Sequence, residues 1–153
     1  MLSLIVFIVL CFFAATVGSV LTNFSLKSWY VTLRKPAWNP PNWIFAPVWT
    51  LLFIMMAVAA SMVWERSPQK GLTLPMFFFF IQLLLNVAWS AFFFGLCNVR
   101  WAFFEIILLW LFILMTTASF TSVYWFAGLL FLPYFIWVSF AAFLNFTIWR
   151  LNR

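Results

Sequence analysis

The sequence predicts an all-α integral membrane protein, one domain over residues 1–153 folded as a bundle of five transmembrane helices. Of the 153 residues, 68% are hydrophobic and only 7% are charged. A soluble domain is about a quarter charged, so eight basic and two acidic side chains are too few to cover a water-soluble globule. The mean hydropathy of +1.15 indicates the same class. A soluble enzyme and a nucleic-acid-binding domain are thereby excluded, and the lipid bilayer is the expected surroundings.

Five apolar segments are long enough to cross a hydrocarbon core of about 30 Å, which takes about 20 residues of helix. We expect spans at about residues 2–21, 44–64, 74–96, 101–120 and 125–149. A cleaved signal peptide is the alternative for the first span, but such a peptide starts with basic residues and the first one here is Lys27. Most connections are short, which makes consecutive helices antiparallel neighbours.

The basic residues are divided unequally between the two ends of this bundle. One end carries six of them, Lys27, Arg34, Lys35, Arg100, Arg150 and Arg153, and the other end only Arg66 and Lys70. The positive-inside rule then predicts a cytoplasmic C-terminus and an N-terminus on the outer side. Short tails without targeting features favour a bacterial inner membrane over a mitochondrial outer membrane.

Loop 1, residues 22–43, is rich in aromatic residues and prolines. Its first half predicts a short surface helix with one apolar face, formed by Leu26, Trp29, Tyr30 and Leu33. From Pro36 the chain must be extended, because proline fixes φ and restricts the residue before it. A stiff backbone that carries large aromatic rings predicts a lid over one mouth of the bundle. The predicted lid residues are Trp29, Tyr30, Lys35, Pro36, Trp38, Pro40 and Pro41.

The chain contains eleven tryptophans. Those near span ends, Trp101 and Trp125 among them, are typical of the interfacial belt. Four lie deeper: Trp49, Trp89, Trp110 and Trp137. Hydrocarbon cannot satisfy an indole N–H, so a deep indole should face the protein or a cavity. Stacked indoles suit flat, apolar, conjugated ligands, and plain core packing is the alternative.

Polar residues inside the spans fall on two helix faces. Gln82, Asn86 and Ser90 form a stripe on the third span, since residues four apart share a face. The fifth span has a second such face, with Tyr134, Trp137, Ala141 and Asn145. Intramembrane amides either bond neighbouring helices or line a polar pocket, and the sequence leaves both open.

Few side chains can carry chemistry. The chain has no His and no Asp, and its side-chain carboxylates are Glu65 and Glu105. A Ser-His-Asp triad and a paired-carboxylate site are excluded, and a zinc or iron site would lack imidazole ligands. We therefore predict no catalytic residue and no metal site. We expect Glu105 to reach water or pair with Arg100, and Cys11 and Cys97 to be buried without forming a disulfide.

Three ordered motifs resemble the translocator protein family, also called the tryptophan-rich sensory or peripheral-type benzodiazepine receptor family. They are WYVTLRKPAWNPP at 29–41 with APVW at 46–49, QLLLNVAWS at 82–90 with FFG at 93–95, and LPYFIW at 132–137 with LN at 144–145. The resemblance implies a five-helix bundle with a pocket at the loop-1 side that binds porphyrins and benzodiazepine-type ligands. Matched residue by residue, the pocket residues are Ala46, Val48, Trp49, Asn86, Trp89, Trp101, Tyr134, Trp137, Ala141 and Leu144.

The resemblance also implies partners. Family members form dimers, and three small-residue strips offer close helix contacts here: Ala14/Gly18, Ala57/Ser61 and Ala91/Gly95. Some members bind cholesterol through a Leu–Tyr–Arg pattern. Leu144 and Arg150 match it, but Phe146 stands where the tyrosine would be, which weakens the case for a sterol partner.

We expect a protein that binds, and transports or senses, porphyrins and similar flat ligands, with no required cofactor. Without His, a haem-type ring should be held by stacking and shape rather than by its metal. A light- and oxygen-dependent porphyrin-degrading enzyme is the alternative, with Trp49 and Trp137 as candidate residues. A proton-coupled exporter would need a mid-membrane carboxylate, for which Glu105 is poorly placed.

Overall fold

The computed structural model describes residues 1–153 as five long helices, one short helix and the loops between them. The helices are α1 (Leu2–Asn23), α2 (Trp29–Thr32), α3 (Asn42–Arg66), α4 (Leu74–Ser90), α5 (Val99–Val123) and α6 (Trp125–Leu151). A π-helical turn at Ala91–Gly95 continues α4. Five helices, α4 being counted with its π-helical turn, are long and apolar enough to cross a membrane. The predicted all-α membrane fold is confirmed.

The helices extend up to three residues beyond the predicted spans at either end, except where the third span ends one residue early at Gly95. Hydropathy marks the part that crosses hydrocarbon, whereas a helix continues into the interface until a capping or extended residue ends it. At α3 that residue is Pro41, with φ −62° and ψ 145°. At α5 the Asn98 side chain accepts a hydrogen bond from the Trp101 N–H at 3.1 Å. This bond satisfies one of the N–H groups in the first turn that have no partner within the helix.

The five long helices form a ring in the order α1, α3, α6, α5, α4, in which α4 also contacts α1. Two of these helices approach closely where α5 ends and α6 begins. A Cβ added to Gly128 would lie 2.9 Å from Thr121 Cβ and 3.0 Å from Thr121 Cα. Glycine at this position therefore lets the two helices pack directly against each other.

The half of the bundle away from loop 1 is filled by aromatic and aliphatic side chains. Phe79 of α4 is fully buried, and its ring contacts Phe7, Phe120 and Phe131 at centroid distances of 5.6, 6.0 and 6.4 Å. Met56 of α3 is buried in the same core. A cavity lies in the other half, toward loop 1.

Loop 1 is packed against the end of the bundle. Its short helix α2 is only part of the surface helix that the amphipathic pattern predicts: residues 24–28 form turns, Leu33 is extended, and Tyr30 is buried. The Ser25 hydroxyl donates to the Phe94 carbonyl at 2.7 Å. The rings of Trp29 and Tyr30 contact Phe93 at 5.6 and 6.1 Å. The π-helical turn thus presents two consecutive buried phenylalanines to the loop.

Loop 1 is also tied to the end of α6. The Arg34 backbone N–H donates to Asn152 Oδ1, and Asn152 Nδ2 donates to the Arg34 carbonyl, both at 2.9 Å. Trp38 stacks on Phe143 of α6, with ring centroids 5.4 Å apart and planes 15° apart. These contacts fix the extended segment of the loop beside α6.

Two of the three small-residue strips face other helices of the same chain. Ala14 is buried, and a side chain added at Gly18 would contact α4. Ala57 and Ser61 are buried as well. The third strip coincides with the π-helical turn, so its two residues do not lie on a regular α-helical face.

Candidate ligand-binding cavity

A cavity of about 540 Å³ lies among the five long helices in the loop-1 half of the bundle. Ligand pockets commonly measure roughly 300–1,000 Å³. Twenty of its 30 lining residues are hydrophobic and none is a Lys, Arg, Asp or Glu. Tyr30 is the lining phenol; burial raises its pKa above the ordinary value, although its hydrogen bond to Asn39 acts in the opposite direction. The cavity wall is therefore uncharged at neutral pH.

Three of the four deep indoles line this cavity, each from a different helix. Trp49 is on α3, Trp89 on α4 and Trp137 on α6. Trp89 Nε1 donates to Asn145 Oδ1 at 3.0 Å. The fourth, Trp110, lies outside the wall and donates to Ser139 Oγ at 2.8 Å. The two interpretations of a deep indole, cavity wall and core packing, thus both occur.

Buried amides hold the cavity wall in position. Asn145 of α6 is 2% exposed; its Nδ2 donates to the Val99 carbonyl of α5 at 2.9 Å while its Oδ1 accepts from Trp89 of α4. Asn86 Nδ2 donates to the Tyr134 hydroxyl at 2.9 Å, which links α4 to α6. Asn86 and Asn145 also line the cavity, so the amides both connect helices and form its polar lining.

Seven of the ten predicted pocket residues line the cavity: Ala46, Trp49, Asn86, Trp89, Trp137, Ala141 and Leu144. The other three lie elsewhere. Tyr134 is completely buried behind Asn86, and half-buried Val48 packs on the core. Trp101 is 59% exposed on the outer face of α5. That any of the ten contacts a ligand stays a prediction.

Helix α1 forms a large part of the cavity wall, and none of its residues was among the predicted pocket residues. Its lining residues are mostly small or hydroxylic: Phe12, Ala14, Ala15, Thr16, Gly18, Ser19, Val20, Thr22 and Asn23. The signal was present in the run Ala-Ala-Thr-Val-Gly-Ser at residues 14–19. Small side chains on one stretch of an otherwise bulky helix leave space beside it.

The cavity is open between α1 and α3. Its exposed lining residues are confined to these two helices: Thr16, Ser19, Val20 and Asn23 on α1, and Asn42, Ala46 and Thr50 on α3. At their other ends the two helices are in contact, with the Phe7 and Trp64 rings 6.1 Å apart. The gap between them therefore lies toward loop 1, between two helices that are long and apolar enough to cross a membrane.

Among the predicted lid residues, only Tyr30 lines the cavity. Lys35 Nζ donates to the carbonyls of Tyr30 and Leu33 at 2.6 and 3.1 Å, and lies 4.4 Å from the centre of the Tyr30 ring. Lys35 thus stabilises the loop rather than facing the cavity. The other predicted lid residues, Trp29, Pro36, Trp38, Pro40 and Pro41, lie outside the cavity wall.

Two expectations about single side chains are wrong. Glu105 is 8% exposed, neither of its carboxyl oxygens has a hydrogen-bond partner, and it forms no ion pair with Arg100. Five residues correspond to about 140° around a helix, so the side chains of Arg100 and Glu105 point in different directions.

Cys97 is exposed in the tight link before α5, with φ 51°, whereas Cys11 is buried as expected. Both cysteines are free.

Comparison with known proteins assigns the chain to a family. Residues 7–150 match the TspO/MBR family. The chain belongs to that family. It is 45% identical over 152 residues to the tryptophan-rich protein TspO of Chlorobaculum tepidum, covering 99% of this chain and 96% of the relative.

Two further relatives are similar over most of their length. Protein CrtK of Rhodobacter capsulatus is 40% identical over 148 residues, with 96% of this chain and 91% of the relative covered. The human translocator protein is 33% identical over 144 residues, with coverages of 90% and 82%. The family resemblance read from the three motifs is thereby confirmed, and the chain is an integral, multi-pass membrane protein of this family.

Proposed function

We propose that this protein binds a tetrapyrrole, or a similarly flat apolar ligand, in the cavity and transports or senses it without transforming it. One observation carries the proposal: three indoles from three helices surround an uncharged, largely apolar cavity. Membership in the TspO/MBR family supports it. The names of the relatives, translocator protein and tryptophan-rich sensory protein, denote no enzymatic reaction.

The cavity wall favours binding by shape and stacking. An aromatic pair contributes about 0.5–1.5 kcal/mol beyond its area burial, and Trp49, Trp89 and Trp137 each offer such a contact. An uncharged wall cannot neutralise carboxylates. The acidic substituents of a porphyrin would therefore stay at the opening, beside the exposed amides of Asn23 and Asn42.

The opening between α1 and α3 suits a ligand that arrives through the bilayer. A flat apolar molecule partitions into lipid, and the gap lies between membrane-spanning segments rather than at a loop. Its rim carries the hydroxyls of Thr16, Ser19 and Thr50. These groups can bond the polar edge of a ligand as its apolar body moves inward.

A titration with protoporphyrin in darkness tests the proposal, with the affinity read from the porphyrin absorbance. Trp137→Ala removes an aromatic ring from the cavity wall, and we expect at least about fivefold weaker binding, the equivalent of about 1 kcal/mol of stacking. Trp125→Ala is the matched control, because Trp125 is 63% exposed at the start of α6 and lies outside the wall. Equal losses for both variants, or no saturable binding to the unaltered protein, would contradict the proposal.

We propose further that the C-terminus is cytoplasmic, in a bacterial inner membrane, and that the protein acts as a homodimer. The charge difference between the two ends supports the orientation, since six of eight basic residues lie at the loop-1 end.

For the dimer, two of the small-residue strips are already in contact with other helices of the same chain. Contact between protomers would therefore use other outward-facing surfaces.

A further inference from the structure

A second recess lies outside the ligand cavity, at the surface of the loop-1 end. It measures about 370 Å³ and lies between α2, the start of α5 and the end of α6. We call it the basic groove. Its lining residues are Trp29, Leu33, Cys97, Asn98, Val99, Arg100, Trp149, Asn152 and Arg153. None of them lines the ligand cavity.

The basic groove carries positive charge that no acidic side chain balances. Arg100 and Arg153 line it and both are exposed. Of the two glutamates, Glu65 pairs with the Met1 amino group at the opposite end of the bundle, at 3.6 Å. The other, Glu105, is buried within α5 and makes no ion pair. An anion in the groove would therefore meet two guanidinium groups without competition from a carboxylate side chain, and the α-carboxylate of Arg153 is the one carboxylate that belongs to a groove-lining residue.

The start of α5 adds backbone donors to these arginines. The first N–H groups of a helix have no partner within it, and the Asn98 side chain takes up only that of Trp101. The helix dipole also favours negative charge at this end. The Asn98 N–H donates to the Phe92 carbonyl at 3.1 Å, so the unpartnered groups are those of Val99 and Arg100. Both residues line the groove together with the guanidinium groups.

Aromatic side chains place the groove at the depth of lipid headgroups. Trp29 and Trp149 line it, and tryptophans concentrate where hydrocarbon meets headgroups. The Arg153 guanidinium lies 4.8 Å from the centre of the Trp149 ring. From there an exposed aromatic surface continues along the outside of α5, where the Phe104 ring contacts both Trp149 and Trp101 at 6.1 Å. A ligand with a charged head and an apolar tail fits both parts.

We propose that the basic groove binds the phosphate of an anionic phospholipid. Arg100 and the first N–H groups of α5 contact the phosphate, and an acyl chain lies along Trp101 and Phe104. The adjoining aromatic surface favours a lipid over a free phosphate ion. Because loop 1 forms one wall through Trp29 and Leu33, the bound lipid also joins loop 1 to α5.

Native mass spectrometry of the full chain in detergent tests this, with phosphatidylglycerol and phosphatidylcholine as probes. We expect tighter binding of phosphatidylglycerol. Arg100→Gln should weaken it about fivefold, as expected for one basic side chain at an anionic surface. It should weaken phosphatidylcholine binding less, because the choline cation offsets the charge of the same phosphate. The control is Lys27→Gln, which removes one charge at the same end of the bundle from an exposed residue outside the groove.

Three results would overturn the proposal. Equal affinities for the two lipids would remove the headgroup preference. Equal losses in Arg100→Gln and Lys27→Gln would indicate a diffuse surface potential instead of a site. Displacement of phosphatidylglycerol by millimolar glycerol phosphate would identify a free-phosphate site. The melting temperature without added lipid checks that Arg100→Gln is folded, and Arg100→Lys should restore part of the affinity if the charge itself is needed.

Discussion

Asn145 is the residue whose replacement should affect both the bundle and the cavity. It joins three helices by accepting from Trp89 Nε1 at 3.0 Å and donating to the Val99 carbonyl at 2.9 Å. Asn145→Leu keeps a side chain of similar size but removes both polar atoms. The Trp89 N–H and the Val99 carbonyl then lose their partner, and the Trp89 ring loses the contact that fixes its plane beside the cavity.

The two lost bonds set the expected size of the effect. Hydrogen bonds between membrane helices contribute about 0.6 kcal/mol on average and about 1.7 kcal/mol at most. Asn145→Leu should therefore lower the free energy of unfolding by about 1–3 kcal/mol. If the untethered Trp89 ring loses a stacked contact of about 1 kcal/mol, protoporphyrin should bind about fivefold more weakly.

Unfolding in mixed micelles and protoporphyrin titration measure the two effects separately. Ser139→Ala is the matched control, because it removes the partner of Trp110 Nε1, an indole outside the cavity wall. Both variants should be less stable, and only Asn145→Leu should lose affinity. Unchanged affinity in Asn145→Leu, or an equal loss in Ser139→Ala, would refute the assignment of Trp89 to the binding surface.

Three further predictions follow from the charge distribution, the packing and the cavity wall. A reporter fused at Asn152 should be cytoplasmic and one at Gln69 should lie on the opposite side; the reverse would overturn the orientation. Gly128→Ala should destabilise the bundle by about 1–3 kcal/mol through overpacking against Thr121, and unchanged unfolding would contradict that contact. In darkness and without added oxidant, protoporphyrin should not be consumed, because the cavity wall offers no charged acid or base. Repeated turnover of protoporphyrin in darkness would instead favour a porphyrin-degrading enzyme, if Trp49→Phe abolished that turnover and still bound protoporphyrin.

Hydropathy and charge alone predicted the five helices, because crossing hydrocarbon demands an apolar run of fixed length. Helix faces were predictable too: Asn86 and Asn145 were placed on polar stripes, and both are buried at helix contacts. Which helices meet was not predictable from one sequence. The bond from Asn86 to Tyr134 depends on the order of helices in the ring, and local periodicity contains no information about that order.

The misplaced residues have physical explanations as well. Trp101 lies one residue after Arg100 at the start of α5, and its side chain is exposed on the outer face. The contribution of α1 was missed because the small residues Ala14 and Gly18 were interpreted as a helix contact, although here they also leave room for a cavity. The π-helical turn at Ala91–Gly95 has no signature in hydropathy, and it decides how Phe93 and Phe94 face loop 1.

The most direct test of ligand binding in the cavity is a crystal structure of the protein with zinc protoporphyrin, in which the anomalous scattering of zinc locates the ring. We predict a zinc peak inside the cavity, between Trp49, Trp89 and Trp137, with the carboxylates of the ligand toward the gap between α1 and α3. A zinc peak on the outer surface of the bundle, with the cavity empty, would contradict the account.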